Sequence, residues 1–351
     1  MPPLEAWKKV LVDSTFLATT HGQRSCVDCH GGDASADSMG AAHTGMDADP
    51  SEYCVDCHIS EGANFEDSQH AQLDGYRNLI AQRAGVEKMT AGMEEMFEAN
   101  CNKCHVTCGQ CHISRPRSVG SGFLAGHEIQ RRPSMVLNCT ACHGSRIGSE
   151  YRGENVGIPP DSHYLQGMQC VACHGADEMH GHGSQGDTRY EVEMAPTCED
   201  CHDTSLDAAN TYHQSHGDKV QCQVCHSTTY KNCYNCHVGE GLEQPSEMDF
   251  KIGRNPLKSD ERPYDFVVLR HIPIAPDSYR DYVPGPLVDF ASVPTWKYAT
   301  PHNIQRTTPQ TADCTSSCHG NADLFLTAAD LERLPAEEVE ANQGVIVKDI
   351  P

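Results

Sequence analysis

The chain is expected to be mostly irregular and loop-rich, with short α-helices and little β-structure. Three observations on its 351 residues predict this. The 20 cysteines fall into ten close pairs, each followed at once by a histidine. Aromatic residues are 6% and hydrophobic residues 38% of the chain, thin for an ordinary core of this size. The stretch 238–313 has no cysteine, holds half of the 20 prolines and contains the clearest strand-like run.

The cysteine pairs are Cys26/Cys29, Cys54/Cys57, Cys101/Cys104, Cys108/Cys111, Cys139/Cys142, Cys170/Cys173, Cys198/Cys201, Cys222/Cys225, Cys233/Cys236 and Cys314/Cys318. In Cys-x-x-Cys-His the two thiolates form thioethers to the vinyl groups of a haem, and the histidine becomes an axial iron ligand. A disulfide framework gives no reason for a histidine after every second cysteine, and a zinc site would need partner ligands elsewhere in the chain. The Cys101 and Cys108 motifs begin seven residues apart, so their porphyrins must lie against one another. The last motif, Cys314-Thr-Ser-Ser-Cys318-His319, has one extra residue, which widens the loop but still allows both thioethers. Ten haem c groups would supply the missing apolar surface, and folding should then depend on them, as small metallodomains depend on their metal. The architecture expected is a multihaem cytochrome c organised around a stacked haem chain.

The 21 histidines carry a second signal. Ten follow a cysteine and are proximal: His30, His58, His105, His112, His143, His174, His202, His226, His237 and His319. Eleven remain as distal candidates: His21, His43, His70, His127, His163, His180, His182, His213, His216, His271 and His302. Ten six-coordinate bis-imidazole irons need ten, which leaves one over. The spare is expected in one of the close pairs, His180/His182 or His213/His216, or at His21. Met89, Met93 and Met96 near a helical spacing are read as packing rather than as ligands. Two imidazoles per iron leave no position for substrate, so no catalytic residue is expected.

A formal charge of −23 excludes a nucleic-acid partner, which needs a basic footprint, and suits a basic redox partner. The acidic clusters Asp47–Glu52 and Glu191–Glu193 are read as solvated loops, with calcium the alternative. No apolar run of membrane-spanning length occurs. The first residues lack the basic-then-apolar pattern of a signal peptide. Covalent haem attachment takes place outside the cytoplasm, so the chain is expected to be extracellular after leader cleavage, or else periplasmic.

Three regions are expected: 1–237 with nine haem motifs, 238–313 as a proline-rich contact subdomain, and 314–351 with the tenth motif and a tail. Trp7 to Phe16 is a short helix or strand. Residues 66–100 are the best helical stretch, capped at Asp67 or Ser68 and broken at Gly85. Tyr264 to Ile274 reads as a strand, Ala328 to Ala341 as a helix interrupted by Pro335, and Val345 to Lys348 as extended chain able to pair with an edge.

From Cys26 to His319 the chain resembles the multihaem c-type cytochromes of anaerobic respiration. Within that group it looks like the extracellular cytochromes that polymerise into conductive filaments. The resemblance implies electron transfer rather than enzymatic turnover. It also implies a head-to-tail homopolymer as the partner, with other redox cytochromes or mineral acceptors at its ends. His21 would then be a candidate ligand to a haem of the next subunit. A monomeric periplasmic decahaem carrier docking to a porin or quinol dehydrogenase is the alternative, and a reductase of a small oxyanion the third reading.

Overall fold

A computed structural model describes residues 12–47, 49–101, 106–202, 210–232, 246–272 and 274–351. The expected architecture is present: many one- to three-turn helices, long irregular connections and few strands. The chain forms two compact units built from interleaved segments. Unit 1 comprises Met1–Gly75, Asn100–Cys142 and Gln169–Ala195, and unit 2 comprises Tyr76–Ala99, His143–Met168 and Pro196–Pro351. This division cuts across the contiguous regions drawn from cysteine spacing. Residues of 238–313 share sheets and core with chain on both sides of them.

Unit 1 is made of short helices, among them Cys26–His30, Ser51–Cys54, Gln69–Gln72 and Cys108–His112. Helices this short are marginal in water, because nucleation fixes several residues for one hydrogen bond. Side-chain caps offset part of that cost. Ser25 and Asp28 form a reciprocal capping box, and the hydroxyls of Ser38, Ser68 and Ser134 each accept a backbone N–H of the first turn. Ser68 is the cap the sequence predicts, although its helix ends at once. Leu73 adopts a left-handed conformation with φ of 55°, and a second helix, Asp74–Arg83, starts after it. Among the described residues of unit 1, Met135 is the one buried hydrophobic side chain in the core. One such side chain contributes about 1.5–3 kcal/mol, whereas ordering each residue costs about 1–2 kcal/mol. The polypeptide of unit 1 cannot hold itself together.

Unit 2 has a conventional core. Strand β1 (Tyr230–Lys231) pairs antiparallel with β2 (Met248–Asp249). Strands β3 (Lys251–Arg254), β4 (Phe266–His271) and β5 (Trp296–Tyr298) form an antiparallel sheet in the order β3-β4-β5. Its register sets Lys251 opposite Leu269 and His271 opposite Trp296. β4 is the strand predicted within Tyr264–Ile274, and its Val267, Val268 and Leu269 are fully buried. Tyr230, Phe250, Ile252, Val268, Phe325 and Val347 pack in one cluster. The predicted helix 328–341 is two helices, Ala328–Leu331 and Ala336–Ala341, because Pro335 starts the second and cannot continue the first. The extended tail pairs inside its own unit: Arg254 N–H donates to the Val345 carbonyl and Val347 N–H to that of Leu326, both at 2.8 Å. Met93, Met96 and Phe97 on helix Ala91–Asn100 are buried, as packing residues should be. Arg83 is buried with them in unit 2 and donates to the carbonyls of Phe290 at 2.7 Å and Pro294 at 3.2 Å. Burial lowers its pKa to about 10.

The contrast between the units makes a prediction. In chain produced without haem attachment, amide exchange should be unprotected across unit 1 and retained in β3, β4 and β5. Hydrogen exchange read by mass spectrometry checks this, and equal loss of protection in both units would contradict it.

Candidate haem sites

Several of the described motifs lie on or beside a single helical turn. In Cys26–His30, Cys108–His112 and Cys222–His226, spacings of three and four residues bring both thiols and the imidazole to one face. All described cysteines are free thiols, so the disulfide reading is not realised among them. Cys104, His105, Cys233, Cys236 and His237 lie outside the described residues.

Cys26, Cys29, Cys57, Cys173, Cys198 and Cys201 are exposed to solvent in the polypeptide alone, whereas the other described motif cysteines are partly buried. Cys173 caps the 3-10 turn Cys170–Ala172, its N–H donating to the Cys170 carbonyl at 3.2 Å, and the Cys201 N–H donates to the Cys198 carbonyl at 3.3 Å.

The distal candidates meet proximal histidines in a recurring geometry. Ring centroids are 6.2 Å apart for His21/His58 and His30/His127, and 6.1 Å for His112/His180 and His213/His226. They are 6.0 Å apart for His163/His202 and His216/His319. These separations are too long for stacking contact. An iron bound on both faces by nitrogens at about 2 Å sets imidazole centroids about 6 Å apart. His70 lies in the field of His174, and burial lowers its pKa, with Glu178 pulling the other way. Burial also lowers His127 and His180, keeping them neutral, the form that binds metal.

The second ring nitrogen completes the fit. A ligating histidine donates its other N–H to a carbonyl or carboxylate, which fixes the tautomer and leaves Nε2 for the metal. Nδ1 meets the carbonyl of Asp47 from His30 at 2.8 Å, Gln130 from His112 at 2.6 Å, and Gln305 from His226 at 3.2 Å. His43 and His216 use the carbonyls four residues before them, Met39 and Tyr212, at 2.7 and 2.8 Å. His174 meets the Glu178 carboxylate at 2.9 Å and His163 that of Asp161 at 3.2 Å. The Glu178 bond holds His174 above the ordinary imidazole range, against the effect of burial. The His30 strap needs a glycine: Gly31 has φ of 65°, and a Cβ there would stand 2.8 Å from the Gly45 carbonyl oxygen. Phe123 and Phe16 flank the His127 ring at 4.7 and 5.6 Å. Sequence reading did not single out these carbonyl and aromatic partners, since they are set by chain return. Glu178, four residues after His174 on one turn, was accessible to it.

His43 and His182 are not set opposite a proximal imidazole among the described residues. His302 donates its backbone N–H to buried Glu150 at 3.1 Å, and Glu150 is also bound to Arg270. His271 differs in kind. It stacks on Trp296 at 5.1 Å, and its Nε2 meets the Glu338 carboxylate at 3.0 Å, so the nitrogen that would bind iron is engaged in the core of unit 2. The members of the two close pairs expected to hold the spare mostly have partners: His180, His213 and His216 each face a proximal ring. His21, expected as a reach to another subunit, faces His58 of its own chain.

No group of three His, Cys, Asp or Glu side chains gathers to hold a bare metal ion among the described residues, the acidic loops considered for calcium included. No described helix is long and apolar enough to cross a membrane.

A family described as outer membrane cytochrome MtrC/MtrF-like, domains II/IV, matches residues 19–186. No curated protein and no solved structure matches the chain. The family match supports a multihaem extracellular-type cytochrome.

The imidazole planes range from near-parallel for His21/His58 and His112/His180 at 20° and 26°, through 53° for His216/His319, to steep for His30/His127, His163/His202 and His213/His226 at 76°, 71° and 71°. Electron paramagnetic resonance of the oxidised protein should therefore show both rhombic and highly anisotropic low-spin ferric signals. A single low-spin class would contradict this geometry.

Proposed function

We propose that the chain carries electrons over long range, outside the cell, through ten covalently attached haems, each with two histidine ligands. The observation that supports this most is the recurrence of facing imidazoles 6.0–6.2 Å apart, each joining a motif histidine to one far from it in sequence. In this reading the six facing pairs and His70/His174 are axial pairs. His43, His182 and His302 remain as distal candidates for the other motifs. His271 is the eleventh histidine and binds no iron. Bound haem supplies one-electron chemistry. The chain holds it by two thioethers, orients its ligands through Nδ1 hydrogen bonds and fills both axial positions, which excludes substrate from the iron.

Intact mass should give ten haems, and the oxidised spectrum should be wholly low-spin. His271→Gln should keep both features. His213→Ala should keep ten haems but create one high-spin site that binds carbon monoxide. A high-spin centre in the unmodified protein would favour the oxyanion-reductase reading.

A conductive homopolymer is the second reading, taken from the resemblance to filament-forming cytochromes. Of the stretches expected to supply contacts between subunits, 238–313 and the extended tail, β4 pairs with β3 and Val345 and Val347 bond to Arg254 and Leu326 within unit 2, which favours a discrete carrier passing electrons between redox cytochromes and an extracellular acceptor. Electron microscopy of native material separates the two. Dispersed particles of monomer size are expected, and filaments with a regular subunit repeat would establish the polymer instead.

A further inference from the structure

The hydrogen-bond acceptors behind the imidazoles are of two electrical kinds. His30, His112, His226, His43 and His216 set Nδ1 against backbone carbonyls, which are neutral. His174 and His163 set it against carboxylates, Glu178 at 2.9 Å and Asp161 at 3.2 Å. An anionic acceptor makes the shorter and stronger bond, and it raises the basicity of the ring nitrogen that faces the metal.

The two carboxylates are not equally placed to do this. Asp161 is the N-cap of helix Ser162–Leu165. Its Oδ1 also accepts the N–H groups of His163 at 2.6 Å and Tyr164 at 3.1 Å, and its Oδ2 accepts that of Ile304 at 2.6 Å. Three backbone donors therefore share its charge. The Glu178 side chain bonds to His174 alone among the described residues. It is 13% exposed and the His174 side chain 34%, so water screens the pair much less than it would at the surface.

The turn that carries Glu178 fixes its position. Helix Ala176–Met179 begins two residues after His174, and its third residue, Glu178, reaches back to the ring. Gly181 closes the far end, its N–H donating to the Glu178 carbonyl at 3.1 Å. Gly181 has φ of 78°, and a Cβ there would collide with the Asn64 carbonyl oxygen and the Ser68 side chain. The turn is thus pressed against Ser68, the buried cap of the short helix that carries His70.

From this geometry, which rests on the haem reading above, we infer that Glu178 is a positioning residue that lowers the reduction potential of the haem at Cys170/Cys173. Acting through Nδ1 of His174, its carboxylate gives the ligand imidazolate character. The added electron density at iron favours the ferric over the ferrous state, as hydrogen bonding around a haem ligand can. In a reductive titration this haem takes up its one electron at a more negative potential than it would behind a neutral acceptor.

Redox titration of the haem-loaded protein, followed by visible absorption and by the ferric low-spin resonances, tests this. Glu178→Gln keeps an acceptor of the same reach and removes its charge. It should retain the full haem complement by intact mass. One haem equivalent should become easier to reduce by about tenfold in its reduction equilibrium, which is about 59 mV for one electron. Asp177→Asn removes an exposed charge beside Glu178 on the same turn and should move that haem far less. Equal shifts in the two variants would overturn the inference, because charge at a distance and not the bond would then set the potential. No shift in Glu178→Gln at full haem content would overturn it as well. Glu178→Asp keeps the charge but draws the carboxylate back by one methylene, and it should raise the same potential. If Glu178→Gln loses haem, Glu178→Asp decides, and an unchanged potential there would overturn the inference. A protein without haem would overturn the functional reading itself, whereas a full set of haems indifferent to Glu178 would overturn this inference alone.

Discussion

The constraint on which the rest of this structure depends is a distance. Two imidazoles that share an iron must approach from opposite sides of a flat ring and stop about 6 Å apart. Meeting that condition at many sites leaves little freedom for long helices or extended sheets. Motifs such as Cys26–His30, Cys108–His112 and Cys222–His226 take one turn of helix, enough to aim two thiols and one imidazole the same way. In the haem reading each distal histidine is delivered from elsewhere in the chain, and the intervening loops are shaped by that delivery.

The two units answer the folding problem differently. Among its described residues unit 1 has almost no apolar interior of its own, so in the haem reading the flat faces of its cofactors would serve as its core. Unit 2 keeps a β-sheet whose interior is polypeptide. That sheet also braces ligands. Arg270 on β4 holds buried Glu150, Glu150 accepts from the backbone of His302, and Asn303 donates to the carbonyls of Glu150 and Pro159. Burial pushes Glu150 up while Arg270 draws it down. A pair of this kind adds little net stability when intact and leaves an uncompensated charge when broken, so its value lies in fixing the position of the chain around His302.

The motif thiols and histidines stand out in the sequence because a local pattern with fixed spacing marks them. β4 was legible too, from its run of β-branched and apolar residues. The pairing of distal with proximal histidines was hidden, since it is a property of chain return through space: His30 meets His127, whereas the nearer His43 turns its Nδ1 to Met39. The identity of the odd histidine was hidden for the same reason. His271 looks like any other histidine until Trp296 and Glu338 are seen around it, and those contacts depend on strand register and on a helix at the far end of the chain. The interleaving of the two units also left no local trace, because neither unit is continuous.

The order of the facing histidines along the chain bears on assembly. His21, His163 and His216 precede the motifs they face, at Cys54/Cys57, Cys198/Cys201 and Cys314/Cys318, whereas His127 and His180 follow those at Cys26/Cys29 and Cys108/Cys111. If these pairs ligate haem, a chain leaving the cytoplasm N-terminus first would offer the first three motifs both imidazoles at once, while the other two would wait for a later stretch of chain.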